Sequence, residues 1–312
     1  MSPPSDAITP RSNDILVIVN AGSGKKSGNE KHAAFMELIE GRAGVTIRRW
    51  PPDTDITDCA ARGVADGYGT IVAAGGDGTI SGVSAGLAGA DARLGVIPLG
   101  TFNFFARSLG IPEDPCEAWD VVSGGHCRRV SIGEINGQRF LNNASIGAYA
   151  TILRVREDVY GRWGRSRLTA YWSVIKAMST LYRSLRMRIT VDGVAHDVRS
   201  PLAFLAVRPY QLEEYGLPGV QSIRDGDLVL YLAPNGGRIN LLWTAFKVLN
   251  RNVQQDEDYS MLTGREIVIE TFRRKRLVAW DGERSPMSDP FHFKMLRDDL
   301  NVIVPAPPET TP

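Results

Sequence analysis

The sequence predicts a two-domain protein, in which an open parallel α/β domain precedes an antiparallel β-sandwich domain. Three observations lead to this fold class. In residues 14–130, apolar runs of strand length alternate with segments of helical periodicity. Three of those runs end in a loop that carries glycine, as parallel strands of α/β sheets often do. From residue 131 onward, short strand-like segments separated by turn dipeptides replace the alternation.

The first half is assigned element by element from its hydrophobic pattern. A continuous apolar run such as DILVIVN is typical of a strand buried on both faces of a parallel sheet. Helical segments place apolar residues three and four positions apart, as Phe35, Leu38 and Ile39 are. In chain order we predict strands over ILVIVN, VTIRRW, TIVAAGG and RLGVIPLG, and helices over NEKHAAFMELIEG, DITDCAARGVAD, TISGVSAGLAG, NFFARSLG and PCEAWDVVSGG.

The second half shows the signals of antiparallel pairing. Asn136-Gly137 separates RRVSIGEI from QRFLNNASIG, and this dipeptide predicts a hairpin; Asp192-Gly193 predicts another. Further strands are predicted over PLAFLAVRPY, DLVLYLA, EIVIET, RLVAWDGE and NVIVP, with helices over RLTAYWSVIKAMSTLYRSL and RINLLWTAFKVLN.

Composition sets the domain limits and excludes several classes of protein. We expect disordered tails at 1–13 and 305–312, the α/β domain at 14–130 and the β-rich domain at 131–304, with its C-terminal segment returning to the first domain. The net charge of +1 gives no general signal for nucleic acid. Three cysteines without paired spacing argue against a disulfide framework, and no apolar run approaches the roughly 20 residues of a membrane span. We expect a cytoplasmic protein, with peripheral contact at the inner membrane face left open.

Phosphate binding is predicted where the glycine-bearing loops NAGSGKK, AGGDGT and PLGTFN follow their strands. The carboxyl ends of parallel strands meet at one edge, and the helix N-termini that open there bind phosphate. The first loop is not a Walker loop, because Lys26 replaces the Ser/Thr and Val19 stands at the first glycine position. Any one of these loops alone could be a surface turn.

Three motifs, in this order, carry a resemblance to a known family: GGDGT at 75–79, PLGTFNFFARSLGIP at 98–112 and AWDGE at 279–283. Together they resemble the diacylglycerol kinase catalytic family, whose members include bacterial diacylglycerol and phosphatidylglycerol kinases, sphingosine kinases and ceramide kinases. FLNNASIGAYA at 140–150 resembles a further family element. The first loop resembles the family's N-P-x-[SA]-G element, with Ala21 in place of proline.

The resemblance implies a nucleotide domain like that of NAD kinases and phosphofructokinases, followed by a β-rich domain for a lipid substrate. It implies transfer of the γ-phosphate of ATP, with Mg²⁺, to the hydroxyl of diacylglycerol or of a related glycerolipid or sphingoid lipid at the membrane surface. The ATP contacts it implies are Asn20, Ser23, Gly24, Gly75, Gly76, Asp77, Gly78, Thr79, Thr101 and Asn103.

The resemblance places the proton acceptor in AWDGE, where we favour Glu283 with Asp281 as its partner; the alternative is an exposed Asp-Gly turn. It also implies a structural metal site that uses the Asp225 carboxylate with backbone oxygens of Ser222 and Asp227. A simple hairpin turn at Asp225-Gly226 is the alternative there.

Two departures from the family pattern keep other functions open. Phe104 stands where the family often has aspartate, and Gly82 where many members have an acidic residue. These two residues motivate the alternative of a nucleotide-binding regulator without catalysis, and the GGDGT motif, which NAD kinases share, leaves a nucleotide kinase like NAD kinase as a second alternative. The basic, aromatic helix around 168–185 could dock on anionic lipid, but packing on the sandwich is favoured. The sequence leaves the acceptor lipid and the oligomeric state undetermined.

Overall fold

The structure is a computed structural model that describes residues 14–20, 29–50, 54–147, 184–251, 254–255 and 257–307. Contacts within the chain divide it into two compact units. The first unit comprises residues 1–130 and 298–312, and the second comprises residues 131–297. Nearly all of the helix predicted over 167–185 lies outside the described residues.

The first unit is built on a parallel sheet. Its strands are β1 (Ile15–Asn20), β2 (Val45–Trp50), β3 (Thr70–Gly75) and β4 (Arg93–Pro98), in the spatial order β2-β1-β3-β4. The helices are α1 (Asn29–Ile39), α2 (Ile56–Ala65), α3 (Asp77–Gly86), α4 (Phe104–Ser108) and α5 (Pro115–Gly124). The α/β alternation predicted from the sequence is thereby confirmed.

Local sequence signals explain where these elements begin. Asp55 and Asp114 precede α2 and α5, and their carboxylates accept hydrogen bonds from first-turn amides. Pro115 then occupies the first turn of α5, where its missing amide costs nothing. The strands β1 and β3 are buried along nearly their whole length, which explains their uninterrupted apolar sequences.

The second unit contains two antiparallel sheets. Its strands are β5 (Cys127–Ile135), β6 (Gln138–Phe140), β7 (Asn143–Gly147), β8 (Leu185–Val191), β9 (Val194–Ser200), β10 (Leu202–Ala206), β11 (Leu228–Leu232), β12 (Ser260–Gly264), β13 (Glu266–Glu270), β14 (Lys275–Trp280), β15 (Glu283–Ser288) and β16 (Phe291–Ile303). The helices described here are α6 (Pro209–Tyr215), α7 (Val220–Arg224) and α8 (Gly237–Leu249).

One sheet has the order β12-β11-β10-β7-β14-β15, and the other contains β16-β13-β8-β9. Residues from both sheets, among them Ile146, Leu230, Ile189 and Phe293, pack in one buried apolar cluster. The predicted sandwich is therefore confirmed. Two strands include residues of both units, because β5 begins before residue 131 and β16 ends after residue 297.

Both predicted hairpins are present, because Ile135 pairs with Gln138 and Val191 pairs with Val194. The prediction of one strand over QRFLNNASIG is wrong in detail. The segment forms β6 and β7, which lie in different sheets. None of the described helices is long and apolar enough to cross a membrane.

Candidate active site

Three strand ends of the first unit lie together at one edge of its sheet. Asn20 is the last residue of β1, and its Nδ2 donates a hydrogen bond to Thr79 Oγ1 at 3.0 Å. Thr79 lies in the first turn of α3, directly after β3. Gly75 and Pro98 end two neighbouring strands and are register partners. The predicted convergence of the strand-end loops is confirmed for these described residues.

The second and third loops approach each other backbone to backbone. A Cβ added at Gly100 would lie 2.7 Å from the Cα of Gly76, and one added at Gly76 would lie 3.3 Å from the Cα of Gly100. Neither position has room for a side chain without moving the facing backbone. A Cβ at Gly75 would lie 2.4 Å from Thr79 Oγ1. The glycines of these loops therefore permit close packing of two main chains, which leaves peptide groups at the surface of the edge.

Polar side chains hold these two loops in place. The Asp77 carboxylate accepts a hydrogen bond from the Phe105 amide at 3.3 Å, across from one loop to the other. Asn103 has a positive φ of 52° and is 5% exposed. Its Oδ1 accepts from the Gly100 amide at 3.0 Å, and its Nδ2 donates to the Gly100 carbonyl at 3.2 Å. Asn103 thus closes its own loop, whereas Thr101 is exposed at the tip.

The first turn of α3 lies at this edge and offers features that suit phosphate binding. Asp77, Gly78 and Thr79 form the first turn of α3, and first-turn amides have no partner within their own helix. The helix dipole adds partial positive charge at the same place. Ser23 and Gly24, the contacts predicted in the first loop, lie outside the described residues.

Gly82 has a structural reason to lack a side chain. A Cβ there would lie 2.3 Å from Ile56 Cγ2, and one at Gly86 would lie 2.4 Å from the Thr57 carbonyl oxygen. These two positions bring α3 into close contact with α2. An acidic side chain at position 82 would collide with α2, so its absence follows from helix packing in this chain.

Phe104 places an aromatic ring where the family often has a carboxylate. Its ring stacks on that of Phe102, with centroids 5.4 Å apart and planes 3° apart. The side chain at position 104 is half-buried and offers no oxygen to a metal ion.

In the second unit, the Asp281 carboxylate is buried and fully engaged. It is 6% exposed. Its Oδ2 accepts from the Leu141 amide at 2.6 Å, and its Oδ1 accepts from the amides of Asn142 at 2.8 Å and Asn143 at 3.3 Å. The Asp281 amide donates in return to the Asn143 carbonyl at 3.1 Å. These bonds use the amides at the break between β6 and β7 and explain why the two strands separate there.

Glu283 lies two residues later and is exposed at the start of β15. Between the strands, Asp281 and Gly282 have φ values of 45° and 92°, the pattern of a two-residue hairpin turn. The Asp-Gly turn considered as the alternative is therefore present, but its Asp281 side chain is buried and not exposed. The turn is fixed by the buried carboxylate and presents the Glu283 carboxylate to solvent.

Buried polar residues that the sequence did not identify reinforce this turn. Arg208 Nε donates to the Leu141 carbonyl at 3.0 Å, and Asn143 Nδ2 donates to Gln211 Oε1 at 3.1 Å. Arg208 and Gln211 are 8% and 6% exposed. Asn142 and Asn143 belong to the FLNNASIGAYA segment, which resembles a family element, but no local sequence pattern indicates a role for Arg208 or Gln211.

The turn predicted to bind a structural metal follows α7. It is a helix C-terminus rather than a hairpin, because Asp225 N donates to Gln221 O at 2.9 Å. Asp225 Oδ1 accepts from Gln221 Nε2 at 2.9 Å, and the Ser222 carbonyl accepts from the Asp227 amide at 2.9 Å. Arg297 Nη2 donates to the Asp225 carbonyl at 3.0 Å.

The carbonyl that Arg297 binds is not among the oxygens predicted to hold the metal, so this contact does not test the predicted site. Among the described residues, no cluster of three or more His, Cys, Asp or Glu side chains could hold a metal ion. The metal site at Asp225, Ser222 and Asp227 stays a prediction.

Several known proteins are similar to this chain in sequence or in fold. The family model described as the diacylglycerol kinase catalytic domain matches residues 14–135. A diacylglycerol kinase of Bacillus subtilis is 51% identical over 136 residues, which cover 42% of this chain and 45% of that protein. A diacylglycerol kinase of Staphylococcus aureus is 32% identical over 200 residues, which cover 61% of each.

A probable lipid kinase YegS-like of Pseudomonas aeruginosa is 39% identical over 136 residues, covering 43% of this chain and 44% of that protein. The matches thus span about half the length of these curated relatives. A crystal structure of a diacylglycerol kinase from Bacillus anthracis superposes with a TM-score of 0.68 at 21% identity, over 94% of this chain and 97% of that one. At this identity the superposition shows a common fold.

Proposed function

We propose that the protein is an ATP-dependent lipid kinase, because its residues 14–135 match the family model of the diacylglycerol kinase catalytic domain. The observation that carries the proposal is the edge of the first sheet, where Asn20, the Gly75–Thr79 loop and the Gly100–Asn103 loop are locked together. Peptide amides and a helix N-terminus meet there, as nucleotide phosphates require.

In the proposed site, the glycines, the first-turn residues of α3 and two polar side chains have different roles. Gly76 and Gly100 keep side chains away from the edge, and Gly78 and Thr79 offer first-turn amides to phosphate oxygens. Asp77 and Asn103 hold the two loops in register. Asn20, Ser23, Gly24, Gly75 and Thr101 complete the ATP contacts.

The reaction we propose is transfer of the γ-phosphoryl group to a lipid hydroxyl. The lipid oxygen attacks phosphorus, the bond to the β-phosphate oxygen breaks, and the hydroxyl proton passes to the Glu283 carboxylate. Glu283 suits this task because its carboxylate is exposed on a fixed turn. Asp281 is the positioning residue, since its oxygens already accept three amides. Mg²⁺ bound with ATP would neutralise phosphate charge.

The acceptor class follows from the family, and we propose diacylglycerol or a related glycerolipid or sphingoid lipid. The enzyme would reach this substrate at a membrane surface. Phospholipid metabolism on the cytoplasmic side of the membrane is the setting that this acceptor implies. The aromatic ring at position 104 makes weak catalysis a specific alternative, because no carboxylate stands there to handle a metal.

A product assay tests the proposal. The full chain would be incubated with γ-labelled ATP, Mg²⁺ and mixed micelles containing diacylglycerol, phosphatidylglycerol, sphingosine or ceramide, with NAD in a separate reaction. A labelled lipid that disappears in the Glu283→Gln variant is the expected result. Labelled NADP would instead support a nucleotide kinase, and ATP binding without any product would support a regulator.

A further inference from the structure

We propose that the basic loop, defined as residues 271–276 and comprising the β13–β14 connection and the first two residues of β14, docks this protein on an anionic lipid bilayer. The loop leaves the β13 sheet and enters the β14 sheet of the second unit. It carries four consecutive cations and one exposed phenylalanine. The start of β8 adds two further arginines beside it.

Positive charge is concentrated around this loop. A cavity of about 370 Å³ is lined by Arg186 and Arg188 from β8 and by Arg273 and Arg276 from the loop. Arg274 and Lys275 are exposed between them. The carboxylates nearby are fewer: Glu270 ends β13, Asp289 lies below the loop, and Asp197 pairs with Arg188 at 3.0 Å. The whole chain has a net charge of only +1, so the positive potential is local to this surface.

Phe272 gives the same surface an apolar tip. Its side chain is 56% exposed, and its φ of 58° is a conformation unusual for phenylalanine. The Arg186 guanidinium lies 5.6 Å from the ring centroid, where the cation and the ring attract each other. An aromatic ring surrounded by cations is the arrangement that binds the boundary between headgroups and acyl chains.

The base of the loop is rigid, which makes the surface a formed site. Thr271 donates from its amide and from Oγ1 to Asp289 Oδ2, at 2.5 and 2.6 Å. Arg276 Nε donates to Thr271 Oγ1 at 3.2 Å, and the Asp289 amide donates to the Arg274 carbonyl at 3.4 Å. A loop already held in its binding shape loses little conformational entropy when it docks.

These features favour a bilayer over a soluble anion. A cavity of this size accepts a phosphate-bearing headgroup, while the exposed ring has no role in binding a free phosphate. Docking would bring the proposed kinase to its acceptor. The inference itself stands on the charge and shape of the loop, so vesicle binding tests it without any turnover and it can fail separately from the proposed function.

The test is sedimentation of the full chain with vesicles of phosphatidylcholine alone or with phosphatidylglycerol added as the anionic lipid, at low and high salt. Two variants alter the loop: the double substitution Arg273→Gln with Arg274→Gln, and the single substitution Phe272→Ser. Two matched controls lie at the opposite end of the same sheet, where Val194 is 62% exposed and the Arg265 amide binds Asp192. They are Val194→Ser and Arg265→Gln.

We expect binding only to the anionic vesicles, weakened by salt. Each removed charge should cost about fivefold in affinity, so the double arginine variant should lose roughly 25-fold. Phe272→Ser should lose on the order of tenfold. Both controls should bind as the unmodified chain does. Because every substituted position is exposed, thermal unfolding should stay unchanged in all of the variants.

Three outcomes would overturn the proposal. The unmodified chain could bind neutral and anionic vesicles alike, or neither. The control variants could lose as much affinity as the loop variants. Inorganic phosphate at low millimolar concentration could abolish vesicle binding, which would identify a site for free phosphate instead of a bilayer surface.

Discussion

Replacement of Asp281 by asparagine tests whether this carboxylate has a structural role, as distinct from the proton acceptor proposed at Glu283. The substitution keeps the shape of the side chain and removes its charge. The amide oxygen of the new side chain could still accept from the amides of residues 142 and 143. Its amide nitrogen, however, would point a donor at the Leu141 amide, which now binds Asp281 Oδ2 at 2.6 Å. One charge-assisted hydrogen bond is lost and two become neutral.

The expected cost follows from typical hydrogen-bond energies. A bond to a charged group contributes about 1.5–3 kcal/mol and a neutral one about 0.5–1.5 kcal/mol, so the change should cost about 3–5 kcal/mol. That is a large part of the roughly 5–15 kcal/mol that stabilises a typical domain. Because Glu283 is exposed, Glu283→Gln should change stability by less than about 0.5 kcal/mol.

Hydrogen exchange measured by mass spectrometry, together with urea unfolding, provides the assay. Peptides that cover residues 141–143 should exchange faster in Asp281→Asn, and the urea midpoint should fall. In Glu283→Gln, both should match the unmodified chain while lipid phosphorylation drops by on the order of 10²–10⁴. Unchanged exchange and an unchanged midpoint in Asp281→Asn would refute the role of this carboxylate as an anchor.

Three further substitutions probe other parts of the structure. Gly82→Ala should lower the free energy of unfolding by about 1–3 kcal/mol, because its Cβ would lie 2.3 Å from Ile56 Cγ2. Gly124→Ala is the control, because the space around Gly124 is open. Equal melting temperatures of the two variants would contradict the close packing at Gly82. Gly100→Ala should weaken ATP binding in calorimetry by pushing apart the two edge loops, and undiminished affinity would count against the proposed site. Asp258→Asn should destabilise α8 by about 1–2 kcal/mol at pH 7, because Lys247 Nζ lies 2.8 and 2.9 Å from the two carboxylate oxygens. Burial acts to raise the pKa of Asp258, but Lys247 and the Gln254 amide together hold it below its usual value. The contribution is therefore present above the unfolded pKa near about 3.9 and lost as pH falls through the lower folded pKa. Urea unfolding at pH 7 and below about pH 4 should show the difference shrinking, and a difference that persists in acid would contradict it.

Much of the architecture could be read from local pattern. Continuous apolar runs predicted the buried parallel strands, and the segments DITDCAARGVAD and PCEAWDVVSGG were correctly predicted as the helices α2 and α5. The dipeptides Asn136-Gly137 and Asp192-Gly193 gave two hairpins correctly, because positive φ at both positions is a local preference. Strands β12 and β15, whose residues are mostly half-buried or exposed, carry weak patterns and were missed.

For the candidate site too, local features could be predicted from the sequence, whereas contacts between loops could not. The sequence placed glycine loops after strands, and the rule for parallel sheets brought them to one edge. It could not tell that Asn103 binds its own loop, or that Asp77 caps α4, since those bonds depend on how two loops meet.

By itself, the sequence indicated most of the elements, the change from parallel to antiparallel strands and an ordered set of motifs that resemble those of a kinase family. Only the tertiary structure decided which carboxylate of AWDGE is buried, because the amides that bind Asp281 come from Leu141 to Asn143, far away along the chain. It also decided that Arg186 lies over Phe272 and that Gly82 faces Ile56. Periodicity and turn preference act over a few residues and are visible in a single sequence. Hydrogen bonds and packing between distant segments exist only once the chain has folded.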